Sequence, residues 1–150
     1  MDTHDNRLYP ELAGMDPEAF TDFGAGHLPG LLGLQIVSVD RERVTGRIPV
    51  RPDLLAPNGF LHAGTVVSLA DSLCGYGAVV NLPADATGFT TIELTSNFLG
   101  TLRVGALLGE ATPVHVGRST QVWDAQVRDE ESGRRLAVFR CTQMVLRARQ

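Results

Sequence analysis

Hydrophobic positions along this chain change their period twice. Leu34 to Asp40 is apolar and β-branched, Arg41-Glu42 makes a turn, and Val44, Gly46, Ile48 and Val50 then alternate with Arg43, Thr45, Arg47 and Pro49. Period two with one apolar side predicts a half-buried hairpin. From about His62 to Val80 the period lengthens. Val66, Leu69, Ala70, Leu73, Gly77 and Val80 recur at helical spacing, and Val67, Cys74, Ala78 and Val79 carry the apolar surface around the cylinder. A helix apolar on most sides is buried on most sides, and Asn81-Leu82-Pro83 ends it. Period two then returns in four strands, Gly88–Phe98, Ala106–Val116, Thr120–Asp129 and Leu136–Arg147, with Glu130-Glu131-Ser132-Gly133 as the last turn. The order from Leu34 is β-β-helix-β-β-β-β. Short links between most neighbours predict an α+β fold, a largely antiparallel sheet of about six strands wrapped around one long helix.

The flanks change this picture little. Met1 to about Gly14 reads as a loose arm, and Asp16-Pro17-Glu18 starts a short helix through Phe20 and Phe23. Gly24, Gly26 and Pro29-Gly30 then break the chain, and Arg51 to Leu61 is a loop holding the turn pair Asn58-Gly59. A length of 150 residues fits one domain, 1–150. The net charge is −4 and the 13 basic residues, all Arg, are scattered, which argues against a nucleic-acid partner. Cys74 and Cys141 lie in apolar surroundings, in no metal-ligand spacing, so no metal is expected. The polar, acidic N-terminus lacks a signal pattern and no apolar run approaches a membrane span of roughly 20 residues. The expectation is a cytoplasmic protein without membrane contact.

Against that background one residue stands out. Between Thr65 and Val80 the only formal charge is Asp71. Burial disfavours a carboxylate's charged form, so Asp71 must either staple the helix to a hydrogen-bonding neighbour or face a wet cleft as a base or nucleophile. The helix entry His62-Ala63-Gly64 is small. Free backbone N–H groups there carry the positive end of the helix dipole and suit a developing oxyanion. Equally, Ala63 and Gly64 suit tight loop-to-helix packing, and His62 suits a helix-start packing or hydrogen-bonding role more than direct chemistry, for which it is the lesser candidate.

This element order, with His-Ala-Gly at the helix entry and Ser-Leu-Ala-Asp on the helix, resembles the hotdog-fold acyl-CoA thioesterases. The phenylacetate-degradation type, with thioesterase superfamily member 2, is the nearest in pattern. Its motif is roughly Asn-x-x-Gly-x-x-His-Gly-Gly with an Asp eight residues after the first Gly of the pair. Gly59-x-x-His62-Ala63-Gly64 leads to Asp71 at that offset. The resemblance spans about Leu32 to Leu146.

It implies that Asp71 attacks the thioester carbonyl or activates water, and that the Ala63 N–H polarises the thioester oxygen. Ala63 replaces a family Gly, and Ala56 stands where the family has Asn, with Asn58 nearby either to take the place of that catalytic group or simply to make the turn. Thr91 falls near a family Ser or Thr that positions water. By strict alternation Thr91, Glu93, Thr95 and Asn97 share one strand face. Gly64 and the turn Gly117-Arg118-Ser119-Thr120 match segments that contact coenzyme A, with Arg118 suited to a phosphate. The implied reaction is hydrolysis of acyl-CoA without a cofactor. The implied assembly is a homodimer with sites at the interface, commonly paired again into a tetramer. A non-catalytic acyl-CoA binding module and a hotdog hydratase or dehydratase are the alternatives. Leu73 and Tyr76 are expected to bound the acyl pocket.

Overall fold

A computed structural model describes residues 8–149. Six strands form one sheet: β1 (Gln35–Val39), β2 (Val44–Pro49), β3 (Gly88–Phe98), β4 (Ala106–Val116), β5 (Thr120–Asp129) and β6 (Arg135–Leu146). Their spatial order is β1-β2-β4-β5-β6-β3, and all five pairings are antiparallel. Helices α1 (Pro17–Phe23) and α2 (Leu28–Leu32) precede the sheet, and α3 (Ala63–Val80) crosses its inner face. The strands on either side of α3 do not pair with each other, because β4 inserts beside β2 and β3 closes the far edge.

Close approach of α3 to the sheet is written in glycines. Gly46 on β2 and Gly109 on β4 are cross-strand partners. A Cβ on either would stand 2.8 or 2.6 Å from a Leu73 methyl group, so the Leu73 side chain fills a groove that only paired glycines leave open. On the helix side Gly77 lies under Trp123, where an added Cβ would come within 2.5 Å of the indole. Trp123 is fully buried and cannot swing away. Gly77→Ala is therefore expected to cost about 2–3 kcal/mol by overpacking, read as a lowered melting temperature in a thermal denaturation series.

Three expectations need correction. The segment before Gly14 is anchored within the described residues: Pro10–Leu12 forms a 3-10 turn whose Leu12 is fully buried. Residues 1–7 of that expected arm lie outside the described residues. Pro29-Gly30 does not simply break the chain, because Pro29 sits in the first turn of α2, where its missing N–H costs nothing, and Gly33 at φ 80° ends that helix. Finally, α3 is by length and composition apolar enough to cross a membrane. Here it is the core helix, with 12 of its 18 residues buried against the sheet.

Candidate active site

The start of α3 is shaped by His62. Its backbone is extended, and its imidazole Nδ1 accepts the Gly64 N–H at 2.8 Å, capping the helix. The ring lies so close that a Cβ on Gly64 would meet Nδ1 at 2.9 Å, which explains the glycine. The His62 carbonyl accepts the Thr65 N–H at 3.0 Å. Two of the free donors at the helix start are thus consumed, and Gly64 does not offer its N–H to a ligand. The Ala63 N–H has no acceptor among the described residues, and Ala63 is exposed. Of the small residues at this entry, Ala63 is the one that presents an open donor.

Asp71 lies two turns further on, half-buried on the side of α3 that also carries the half-buried Val67, Ser68 and Ser72. Burial raises its pKa above the ordinary carboxylate value, and a hydrogen bond from Thr91 opposes the rise. The Thr91 hydroxyl is 3.4 Å from Asp71 Oδ1 and 2.8 Å from Oε1 of Gln143. Gln143 is fully buried on β6, and its Nε2 donates to Cys141 Sγ at 3.4 Å. The structure therefore brings Asp71 and Thr91 together, and adds Gln143, which reasoning from the sequence missed. The available signal was an amide on the apolar side of β6, in step with Phe139, Cys141 and Val145.

Thr91 faces Asp71 through its pairing with Gln143, and β3 is bulged just beyond it. Thr91 pairs with Gln143 while Glu93 pairs with Thr142, leaving Ile92 as an extra residue. The bulge reverses the facing of everything after it. Glu93, Thr95 and Asn97 pair with Thr142, Arg140 and Val138 on the outer face, and Glu93 accepts the Thr95 hydroxyl at 2.6 Å. The expected common face of Thr91 and Glu93 is thereby overturned, and Glu93 is remote from Asp71's side of the sheet. A shallow outer depression lined by Glu93, Thr95, Asp124 and Arg140 shares nothing with Asp71.

The remaining candidates sit apart. Asn58 Oδ1 accepts the Phe60 N–H at 3.2 Å and closes its own turn, helped by Gly59 at φ 85°. Ala56 spends its N–H on the Phe60 carbonyl at 2.7 Å. In the Gly117-Arg118-Ser119-Thr120 turn the Gly117 N–H bonds to the Thr120 carbonyl at 2.9 Å. The Arg118 carbonyl accepts Arg147 Nη2 at 2.7 Å, while the Arg118 side chain is exposed. This turn lies one residue beyond the row Thr91–Gln143–Gln121, two strands from Thr91, a span of roughly 10 Å. Leu73 and Tyr76 do not bound a pocket. Leu73 fills the glycine groove, and Tyr76 packs edge-on against Phe20 at 5.3 Å between ring centres. No group of three His, Cys, Asp or Glu side chains able to hold a metal occurs among the described residues.

Comparison with known proteins agrees with this geometry. Residues 58–140 match the model of the Thioesterase superfamily. A 1,4-dihydroxy-2-naphthoyl-CoA hydrolase of Listeria monocytogenes is 32% identical over 119 residues, covering 79% of this chain and 95% of that protein. The crystal structure of a mutant thioesterase PA1618 from Pseudomonas aeruginosa superposes with a TM-score of 0.82 at 30% identity, covering 87% of this chain and 94% of that one. The crystal structure of S. sahachiroi AziG gives a TM-score of 0.76 at 31% identity, with 82% of this chain and 98% of that one covered. With the antiparallel sheet, the wrapped helix and the half-buried carboxylate already in place, this chain belongs to the thioesterase superfamily and is a hotdog-fold thioester hydrolase.

Proposed function

We propose that the protein hydrolyses acyl-CoA thioesters to a carboxylic acid and free coenzyme A, with Asp71 as base or nucleophile and the Ala63 N–H as oxyanion donor. The observation that carries this reading is the Asp71 carboxylate, kept half-buried with a raised pKa beside a hydroxyl on a helix most of whose residues are core. A raised pKa keeps a carboxylate basic enough to take a proton from water. As base, Asp71 removes that proton while the water oxygen adds to the thioester carbonyl. The negative charge gathers on the carbonyl oxygen, the carbon–sulfur bond breaks, and the thiolate takes the proton back. As nucleophile, Asp71 adds to the carbonyl and expels the coenzyme A thiolate to form a mixed anhydride; water opens the anhydride at the Asp71 carboxyl carbon, and its proton goes to the thiolate. Single turnover in ¹⁸O-water separates the two routes, since water attack at that carbon leaves an unlabelled Asp71 oxygen in the first product, whereas the base route labels it.

One copy of the chain cannot complete this site. Ala63 and Asp71 are eight residues apart on one helix, a separation of roughly 12 Å along the axis, and one carbonyl group cannot touch both. A second copy solves the problem. β3 is the edge of the sheet opposite β1 and exposes Ile92, Leu94 and Phe98 at 52%, 41% and 48%. An eleven-residue edge strand with three exposed apolar side chains invites pairing. A two-fold axis at this edge sets the Ala63 donor of one protomer toward the Asp71 of its partner. Dimers of this kind pair further into a dimer of dimers, a state that light scattering reads directly.

The identity to a naphthoyl-CoA hydrolase favours an aromatic acyl group. A panel of acetyl, long-chain, phenylacetyl, benzoyl and 1,4-dihydroxy-2-naphthoyl coenzyme A thioesters, assayed for released thiol, tests this. Hydrolysis with the highest kcat/KM on the aromatic members supports it, and no thiol release from any member overturns the function. At the coenzyme A end, Arg118 offers an exposed guanidinium to a phosphate. Arg118→Ala is expected to raise KM roughly 5-fold with kcat unchanged, the scale of one solvent-exposed ionic contact. Steady-state kinetics with a truncated pantetheine thioester, which has no adenosine phosphates, should show no such change.

A further inference from the structure

We propose that Gln143 is a positioning residue for hydrolysis: its buried amide holds the Thr91 hydroxyl so that the hydroxyl proton points at the Asp71 carboxylate. The inference rests on the role given to Asp71 above and adds a residue that does not touch the substrate.

Counting donors carries it. Thr91 has one hydroxyl proton and two acceptors within reach, Asp71 Oδ1 at 3.4 Å and Gln143 Oε1 at 2.8 Å. With Oε1 turned to Thr91, the proton goes to Gln143, Nε2 turns to Cys141 Sγ, and the ionised Asp71 loses its donor. Half a rotation of the terminal amide exchanges Oε1 and Nε2 without changing its shape. Cys141 S–H then donates to Oε1, Nε2–H donates to the Thr91 oxygen, and the Thr91 proton is released to Asp71. Cys141, Gln143, Thr91 and Asp71 then form one chain of donors that runs one way toward the negative charge. When Asp71 is protonated it becomes a donor, and the same three residues are satisfied in the opposite sense. The site thus has two ordered arrangements, one for each state of the acid, and Gln143 is the switch between them.

The surroundings leave few other groups to do this. Gln143 is fully buried, with no water-facing surface to satisfy its amide. It stands directly across β6 from Thr91 on one side and Gln121 on the other. Gln121 is already committed to the Trp123 indole at 2.9 Å and to the Asn81 carbonyl at 3.2 Å at the end of α3. The titratable groups packed around Asp71 are the buried thiols Cys74 on α3 and Cys141 on β6. Asp124 and Arg140 pair with each other on the outer face at 2.6 Å. Burial and Thr91 account for the shift of Asp71, with no charged neighbour contributing.

The test compares Gln143→Met, Gln143→Leu, Thr91→Val and the Thr91→Val/Gln143→Met double variant with wild type. The assays are kcat, KM and the pH profile of kcat/KM on one acyl-CoA substrate, with folding checked by circular dichroism. Gln143→Met keeps the volume and removes the amide. Gln143→Leu removes the amide with a branched side chain, and it serves where the first variant fails to fold. Each is expected to lower kcat roughly 10-fold, the scale of one hydrogen bond to a charged group, with KM within twofold. Each should move the acid limb to higher pH, because the Thr91 hydroxyl is no longer held toward the carboxylate and donates to it less. The double variant should be no slower than Thr91→Val alone, since Gln143 acts through Thr91. Wild-type kcat and an unmoved acid limb in both Gln143 variants, or additive losses in the double variant, overturn the inference while the role of Asp71 stands. An Asp71→Asn variant run in parallel isolates the other failure: full activity there removes the base, and this inference with it.

Discussion

Asp71→Asn is expected to lower kcat on the order of 10³-fold, within the usual range for a catalytic acid–base group, while melting at a higher temperature than wild type. The two effects have one cause. Asp71 is held above its ordinary pKa chiefly by burial. In the unfolded chain the carboxyl titrates at its ordinary value. Between that value and the raised folded one, the folded state therefore holds more protons than the unfolded state, and stability falls as pH rises through the window. At neutral pH the full cost is present. Asparagine carries no charge to desolvate and keeps a group that can meet Thr91. The gain is about 0.5 kcal/mol after allowance for the half-exposed position, roughly 1–2 °C in melting temperature. The difference between the two proteins should shrink on acidification through the same window and vanish below the ordinary carboxylate range. A variant that turns over at the wild-type rate sinks the mechanism. One that is inactive but less stable sinks the account of why Asp71 is poised.

The second large effect concerns Ala63. A proline there removes the backbone N–H and nothing else that the fold uses. Ala63 is the first residue of α3, a position proline favours, and His62 at φ −65° and ψ 132° already has the extended backbone proline requires before it. Ala63→Pro should therefore fold and melt normally while kcat falls by about 10²–10³, as expected for loss of one oxyanion donor. Mixing adds a sharper result. Ala63→Pro and Asp71→Asn are each nearly inactive alone. Coexpressed, half of the dimers are mixed, and each mixed dimer has one intact donor facing one intact acid. Activity should return to about a quarter of the wild-type level. If the donor and the acid served the same protomer, no mixture would recover activity at all.

Much of the fold was legible because its signals are local. Alternation marked the strands, and the apolar cylinder with its single acid marked α3 and Asp71. The Thr91–Asp71 contact was legible only through its resemblance to a family pattern. What escaped depends on pairing between distant segments. Strict alternation put Thr91 and Glu93 on one side, and only the register against β6 shows the extra residue between them. Gln143 was invisible as a site residue because its partner lies 52 positions away. Leu73 and Tyr76 read as pocket walls until Gly46, Gly109 and Phe20 were seen to occupy the same space. His62 was ambiguous between chemistry and capping, and its ring position over Gly64 decides for the cap.

Ile92 has a further consequence, which is one of parity. A single extra residue divides β3 into two stretches of opposite phase. The first delivers Thr91 inward to the acid. The second delivers Leu94 and Phe98 to the same inward side and sends Glu93, Thr95 and Asn97 outward. Deleting Ile92 would make Thr91 and Glu93 neighbours opposite Gln143 and Thr142, so that simple alternation would itself send Thr91 and Leu94 inward and Glu93 outward. The extra residue is dispensable for facing and costs the strand only its straightness. Relatives without it should keep the hydroxyl and the apolar edge on the same side of the sheet, with the kink between them removed.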